Sequence, residues 1–192
     1  MKKKRGCIRP FLFIILAVAL LYFLAGEGRA ALLKMAFPVK YQEFVDKYSE
    51  EYNLDKFLVY SVINVESRFD KDAVSRVGAK GLMQLMEKTA SECNKRENFG
   101  YNIPDDLFEP DTNIRIGCSY LRSLIDEHKD LKLAVTAYNA GTGNVKKWLG
   151  DEKLSDGEGG IENIPYPETE KYVKKVFKNY EMYSKIYKED SI

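Results

Sequence analysis

The chain has 192 residues and a net charge of +1, and its 45% apolar and 12% aromatic content excludes a chain too polar to fold. Its first ten residues carry five cations (Lys2, Lys3, Lys4, Arg5 and Arg9) and no acid, which leaves −4 for the rest of a +1 chain. A mildly acidic body argues against nucleic acid as a partner. The three cysteines and the single histidine, His128, form no cluster with zinc-ligand spacing, and no Asp-rich calcium loop is visible. Neither a metal nor any other cofactor is therefore expected.

Residues 1–10 form a basic flank. Phe11 to Ala25 follow as an uninterrupted apolar run, FLFIILAVALLYFLA, closed by Glu27 and Arg29. The run is shorter than the roughly 20 residues that span a bilayer comfortably, and flanking apolar residues extend it. Gly28-Arg29-Ala30 is a poor cleavage site, and no cysteine follows the run for lipidation. Residues 11–26 therefore read as an uncleaved transmembrane signal anchor, with a cleaved signal peptide as the alternative. The positive flank stays inside, so the body faces outside the cytoplasm. This predicts a single-pass protein of the cell membrane, or a secreted one if the segment is removed. Cys7 belongs to this segment. Cys93 and Cys118 lie in the body, where they pair or remain buried thiols; the sequence leaves both open.

The body begins at Pro38, a residue suited to the first turn of a helix. Tyr41, Phe44, Val45, Tyr48 and Tyr52 are spaced for one helix face. A second helix is predicted from Asn53–Asp55, carrying Leu58, Val59, Val62, Ile63 and Val65. Thr89-Ala90-Ser91-Glu92 has the form of a capping box for a third. After a loop with Gly100, Asn102 and Pro104, Pro110-Asp111-Thr112-Asn113 predicts another start. Its helix carries an apolar stripe from Ile114 to Ile125. Leu131 to Ala140 reads as a short helix stopped by Gly141, and Asn144 to Leu149 as one or two further turns. Residues 150–167, rich in glycine and acid, read as an exposed loop. A last helix is predicted from Glu168 with the stripe Tyr172, Val173, Val176, Phe177, Tyr180, Tyr183 and Tyr187. The fold class expected is mainly α, one domain of six or seven helices over residues 38–187.

Glu66 stands out within this pattern. On a helix it shares a face with Val62, Ile63 and Val59. Partial burial there raises the pKa of a carboxylic acid, which is what a general acid needs near neutral pH. Helix position alone equally describes a terminal glutamate that reaches into water.

The surrounding residues are more specific. Glu66-Ser67-x-Phe69 is followed by Ser75-x-x-Gly78-Ala79-x-Gly81-Leu82-Met83-Gln84. Later come Ala137-Tyr138-Asn139-Ala140-Gly141 and Glu168-Thr169-x-x-Tyr172-Val173. In this order they resemble the motifs of the soluble lytic transglycosylase family, whose fold is lysozyme-like and related to goose-type lysozymes. The likeness runs over nearly all of residues 38–187.

The resemblance implies a substrate and a set of roles. Family members cleave the β-1,4 bond between N-acetylmuramic acid and N-acetylglucosamine in the glycan strands of peptidoglycan. Glu66 matches the single catalytic glutamate, which protonates the bridging oxygen and then serves as base on the C6 hydroxyl. That hydroxyl closes onto C1 as a 1,6-anhydro ring, and no water enters. Ser75, Gln84, Met86, Tyr138 and Asn139 match cleft-lining positions that bind substrate. Tyr172 matches a tyrosine whose hydroxyl reaches the acid. Met83, Met86 and Tyr172 could instead be core, and Ser75 a helix cap. Glu168 and Thr169 read as capping the last helix.

Asp70 and Asp72 are near Glu66 in sequence but occupy no motif position, so the paired carboxylates of ordinary glycosidases are not evident. Their absence favours internal attack by the substrate over hydrolysis. A goose-type muramidase and a non-catalytic wall-binding domain are the alternatives. Glu87 departs from the family by standing where proline is usual. Gly78 and Gly81 are expected to let a tight turn approach the helix of Glu66. The expected state is a monomer, held at the cytoplasmic membrane by its anchor.

Overall fold

A computed structural model describes residues 8–157 and 159–187. The first seven residues, with Cys7 and most of the basic flank, lie outside the described residues.

Two helices precede the body, α1 (Ile8–Ala25) and α2 (Glu27–Ala36). They meet at Gly26. No single described helix is long and apolar enough to cross a membrane. Pro10–Phe23 and Gly28–Ala36 meet that criterion together, as a pair bent by 55°. The large apolar side chains along Phe11 to Phe23 are exposed, and so are Leu32 and Met35 on α2.

The body then runs through α3 (Gln42–Glu51), α4 (Lys56–Glu66), α5 (Glu87–Glu97), a 3-10 turn (Asp105–Phe108), α6 (Pro110–His128), α7 (Leu131–Ala140), α8 (Thr142–Leu149) and α9 (Pro167–Tyr187). Among the described residues β-pairing is limited to isolated bridges. The domain is mainly α, as the apolar spacing predicts.

The centre is α4. Its residues Phe57 to Ile63 are all buried. The helix packs chiefly against α9, while α3 and α5 pack on α6 and α7 bridges α6 and α9. Asp55 starts α4 by accepting a hydrogen bond from the Phe57 amide at 2.8 Å, and Asp130 starts α7 by accepting from Leu133 at 2.7 Å. The main core gathers Val45, Tyr48, Val59, Ile63, Leu82 and Tyr183 among others. A smaller cluster forms around Trp148, with Leu133, Ala137 and Ile161.

Two expected helix starts move. Pro38 does not begin a helix. The Phe37 and Pro38 carbonyls accept hydrogen bonds from the Tyr187 and Tyr183 hydroxyls at 2.7 and 3.0 Å, which hold the connector against α9. The helix begins only at Gln42, after Tyr41 in a left-handed conformation. Likewise α5 begins at Glu87 rather than at the Thr89 capping box. Paired backbone bonds between Lys80 and Leu85 end there, extended Met86 takes the N-cap place, and Ala90 donates to the Met86 carbonyl. Glu87 thus occupies the first helical position, where proline is favoured. Its carboxylate suits the helix dipole and lies 3.8 Å from the Lys80 ammonium. Cys93 and Cys118 are buried free thiols.

Candidate active site

Glu66 is the last residue of α4, and the chain leaves the helix sharply after it. The Ser67 hydroxyl lies 2.8 Å from the Leu82 carbonyl, to which it donates. Arg68 and Phe69 both take positive φ, 54° and 64°. Such backbone is costly for residues with side chains. It persists here because Phe69 is buried against Tyr60, with ring centroids 6.3 Å apart.

The opposite wall is the turn from Ser75 to Met86. Its centre is fixed by Asn113 on α6, a buried side chain. Asn113 accepts from the Met83 amide at 2.8 Å and donates to the Leu107 and Lys80 carbonyls at 2.8 and 3.1 Å. Gly81 is required there: its φ is +74°, and a Cβ would sit 2.2 Å from Asn113 Nδ2 and 2.3 Å from the Leu107 carbonyl oxygen. The close approach expected of Gly81 is therefore to α6 and the 3-10 turn, and Ser67 makes the tie to α4. Gly117 leaves room on α6 for Met83, whose sulfur would lie 2.2 Å from an added Cβ. Three helices thus hold one turn, the third through the Tyr138 hydroxyl, which donates to the Met83 carbonyl at 2.9 Å.

Between the end of this turn and helices α5, α6 and α7 lies a groove of about 240 Å³ lined by Gln84, Met86, Thr89, Tyr120, Tyr138 and Asn139. Four of the residues singled out in the sequence line it together. The Tyr138 ring packs on Tyr120 at 5.3 Å. Gln84 adopts a left-handed backbone, φ 48°, and its side-chain amide donates to the Gly81 and Ala73 carbonyls at 2.9 and 3.1 Å. Its side-chain oxygen keeps its acceptor capacity. Met86 is 43% exposed, so it is not core. Asn139 is exposed as well.

Glu66 is coupled to this groove through Tyr138, and Tyr172 lies beside the carboxyl. Burial pushes its carboxyl up from 4.5 to about 7, and the Tyr172 hydroxyl and the Lys175 ammonium partly offset that rise. The Tyr172 hydroxyl is enclosed and closes no hydrogen bond of ordinary geometry; the polar group beside it is Glu66. Tyr138 feels the same charge. Burial first, and then the Glu66 carboxylate, raise its hydroxyl well above the phenolic range. Glu66 itself is only partly enclosed, crowded by protein yet still open to solvent. A carboxylic acid of that kind can give a proton near neutral pH and take one back.

Ser75 stands apart. Its hydroxyl accepts from the Ala79 amide at 2.9 Å and closes the turn, so it caps no helix and is not among the groove residues. Asn113 and Lys175 were missed by sequence reasoning. Asn113 reads as a helix-start residue, and Lys175 as one of several lysines on α9. Lys175 lies three residues after Tyr172, which puts it on the same face. Nothing among the described residues groups three or more potential metal ligands.

The Transglycosylase SLT domain model matches residues 43–158. The chain belongs to that family. Among its relatives, the SLT-domain enzyme named soluble lytic murein transglycosylase of Escherichia coli K12 is 35% identical over 147 residues, covering 75% of this chain and 23% of that protein. Membrane-bound lytic murein transglycosylase C of Edwardsiella ictaluri is 32% identical over 169 residues, 77% of this chain and 47% of the relative. The 70 kDa soluble lytic transglycosylase of Escherichia coli superposes with a TM-score of 0.73 at 34% identity, over 80% of this chain and 25% of that one. An inactive variant of the Pseudomonas aeruginosa lytic transglycosylase gives 0.72 at 34% identity, over 80% and 25%. This chain spans about a quarter of the length of the soluble relatives, 23%.

Proposed function

We propose that this SLT-domain protein is a lytic transglycosylase. It would cleave the β-1,4 bond between N-acetylmuramic acid and N-acetylglucosamine and leave 1,6-anhydro ends. The observation that carries the reading is Glu66, a lone carboxyl pushed up to about 7 beside the unpartnered Tyr172 hydroxyl, in this family's fold.

Glu66 gives its proton to the bridging oxygen as the bond to C1 breaks. The resulting carboxylate takes the proton of the C6 hydroxyl as that oxygen bonds to C1. Glu66 ends protonated, as it began. The Tyr172 hydroxyl orients the carboxyl and stabilises its charged form between the two steps. The groups that shift Glu66 besides burial are Tyr172 and Lys175, with no second carboxylate among them. Asp72 lies 2.8 Å from Lys71 in an exposed pair, and Asp70 is exposed. That arrangement supports internal attack over a two-carboxylate hydrolysis.

Gln84, Met86, Tyr138 and Asn139 would bind the sugar chain, and Ser75 would shape the turn beneath it. In this reading residues 38–187 are the catalytic unit, which works as a monomer because one chain supplies the whole groove. Residues 11–26 hold it at the cytoplasmic membrane, with the domain outside the cytoplasm. The named relatives include a membrane-bound enzyme, and the exposed apolar surface of α1 supports an anchor.

The test is digestion of purified peptidoglycan by the full chain in detergent, followed by mass analysis of the muropeptides. Products lighter by one water than their reducing counterparts are expected. Reducing ends alone would mean a muramidase, and binding without cleavage a wall-binding domain.

A further inference from the structure

The largest of the cavities described lies away from the groove, where the N-terminal helices join the body. Its volume is about 460 Å³. Met35 and Ala36 at the end of α2 form one side; Lys40, Asn64, Arg68 and Phe69 form the other. Lys40 and Arg68 are exposed, and neither side chain has an ion-pair or hydrogen-bond partner among the described residues. No lining residue is acidic.

The walls are held in place. Asn64 donates to the Ala36 carbonyl at 3.4 Å and to the Tyr183 hydroxyl at 2.9 Å, which fastens the end of α2 to α4 and α9. Phe37 packs edge-on against Tyr183 at 5.4 Å. The strained backbone at Arg68 is fixed by burial of Phe69 beside it. Two unpaired cations are therefore presented by a rigid frame rather than by a loose tail. Beside them α2 exposes Leu32 at 52% and Met35 at 78%, continuous along the chain with the exposed apolar side chains of α1.

We propose that this pocket takes the phosphate of an anionic phospholipid headgroup, with Arg68 and Lys40 as its ligands and Met35 against the acyl boundary. A guanidinium fork and a nearby ammonium suit a phosphate. Cations next to a membrane segment favour anionic lipid roughly fivefold each. The inference rests on the reading of residues 11–26 as an anchor, and it adds a function for the joint. A headgroup bound there fixes the attitude of the domain on the bilayer. It also braces the chain two residues from Glu66, so the groove is held at one height above the membrane.

The experiment uses the full chain in nanodiscs of phosphatidylcholine alone and of phosphatidylcholine doped with phosphatidylglycerol. Acylation of Lys40 by a neutral amine-reactive reagent is followed by mass spectrometry, with exposed Lys178 on α9 as internal reference. The expected result is that phosphatidylglycerol slows Lys40 labelling about fivefold against Lys178, and that Arg68→Ala removes most of this protection while Arg68→Lys keeps part of it. Equal Lys40 rates in both discs would overturn the proposal. Equal protection by inorganic phosphate in neutral discs would assign the pocket to a soluble phosphate and overturn the lipid. A chain that stays out of the neutral discs would remove the anchor and, with it, the lipid site.

Discussion

The Tyr172 hydroxyl on α9 meets the Glu66 carboxyl at the end of α4, and neither depends on a second strong partner. The hydroxyl is enclosed beside Glu66 without closing a hydrogen bond of ordinary geometry, and burial sets the carboxyl near 7. Because Tyr172 stabilises the carboxylate, Tyr172→Phe raises the Glu66 pKa further. A hydrogen bond to a charged group is worth about 2 kcal/mol, so the loss in kcat should be roughly tenfold or more. The alkaline limb of the pH–rate profile should move upward. A variant with unchanged kcat and an unmoved profile would remove Tyr172 from the acid.

Lys175 acts on the same carboxyl by charge alone. Lys175→Ala raises the Glu66 pKa, so its alkaline limb moves up as in Tyr172→Phe, with a smaller loss in kcat. The two variants separate in salt. An exposed ammonium is screened, so the Lys175 effect shrinks at high ionic strength and the Tyr172 effect does not. Profiles measured at low and high salt check this.

Glu66 also destabilises the fold it serves. Its folded pKa, about 7, lies above the ordinary 4.5. Between those values the native state binds more protons than the unfolded state, so the unfolding free energy falls as pH rises through that window. The full difference corresponds to about 3 kcal/mol. Glu66→Gln should therefore abolish cleavage, by a factor on the order of 10²–10⁴, while gaining up to about 3 kcal/mol of stability above pH 7. The gain should vanish below pH 4.5. Denaturant unfolding at several pH values measures it; a variant equally stable at every pH would contradict the buried-acid account.

Asn113 carries the turn that faces Glu66. Asn113→Ala leaves the Met83 amide and the Leu107 carbonyl without their partner, while the Lys80 carbonyl keeps the Leu85 amide, at a cost of about 3 kcal/mol. Because Met83 and Gln84 then lose their support, kcat/KM should fall by more than the unfolded fraction explains. Thermal unfolding and kinetics on the same sample separate the two effects.

The helices were legible in the sequence wherever apolar spacing and an end signal coincided. Leu131 to Ala140 is bounded by Asp130 and Gly141, and Pro110 begins α6. Starts failed where a contact outside the helix itself decided them. Tyr183 and Tyr187 hold the connector at Pro38, and the Lys80–Leu85 pairing sets the start of α5. The groove residues were legible because their motifs are local: Gln84, Met86, Tyr138 and Asn139 line one space. Ser75 closes its turn by accepting from the Ala79 amide, a role that looks in a sequence like that of a hydroxyl that binds sugar. Asn113 was invisible for the opposite reason. Its partners lie at Lys80, Met83 and Leu107, and only packing brings them to it.

The most direct test is cleavage of peptidoglycan in ¹⁸O-labelled water. Internal attack by the C6 oxygen draws nothing from solvent, so the new muramoyl ends should carry no label, and Glu66→Gln should yield no new ends at all. Label at the new ends of the wild-type products would mean that water attacks C1, and would contradict the account of Glu66 as a lone acid and base.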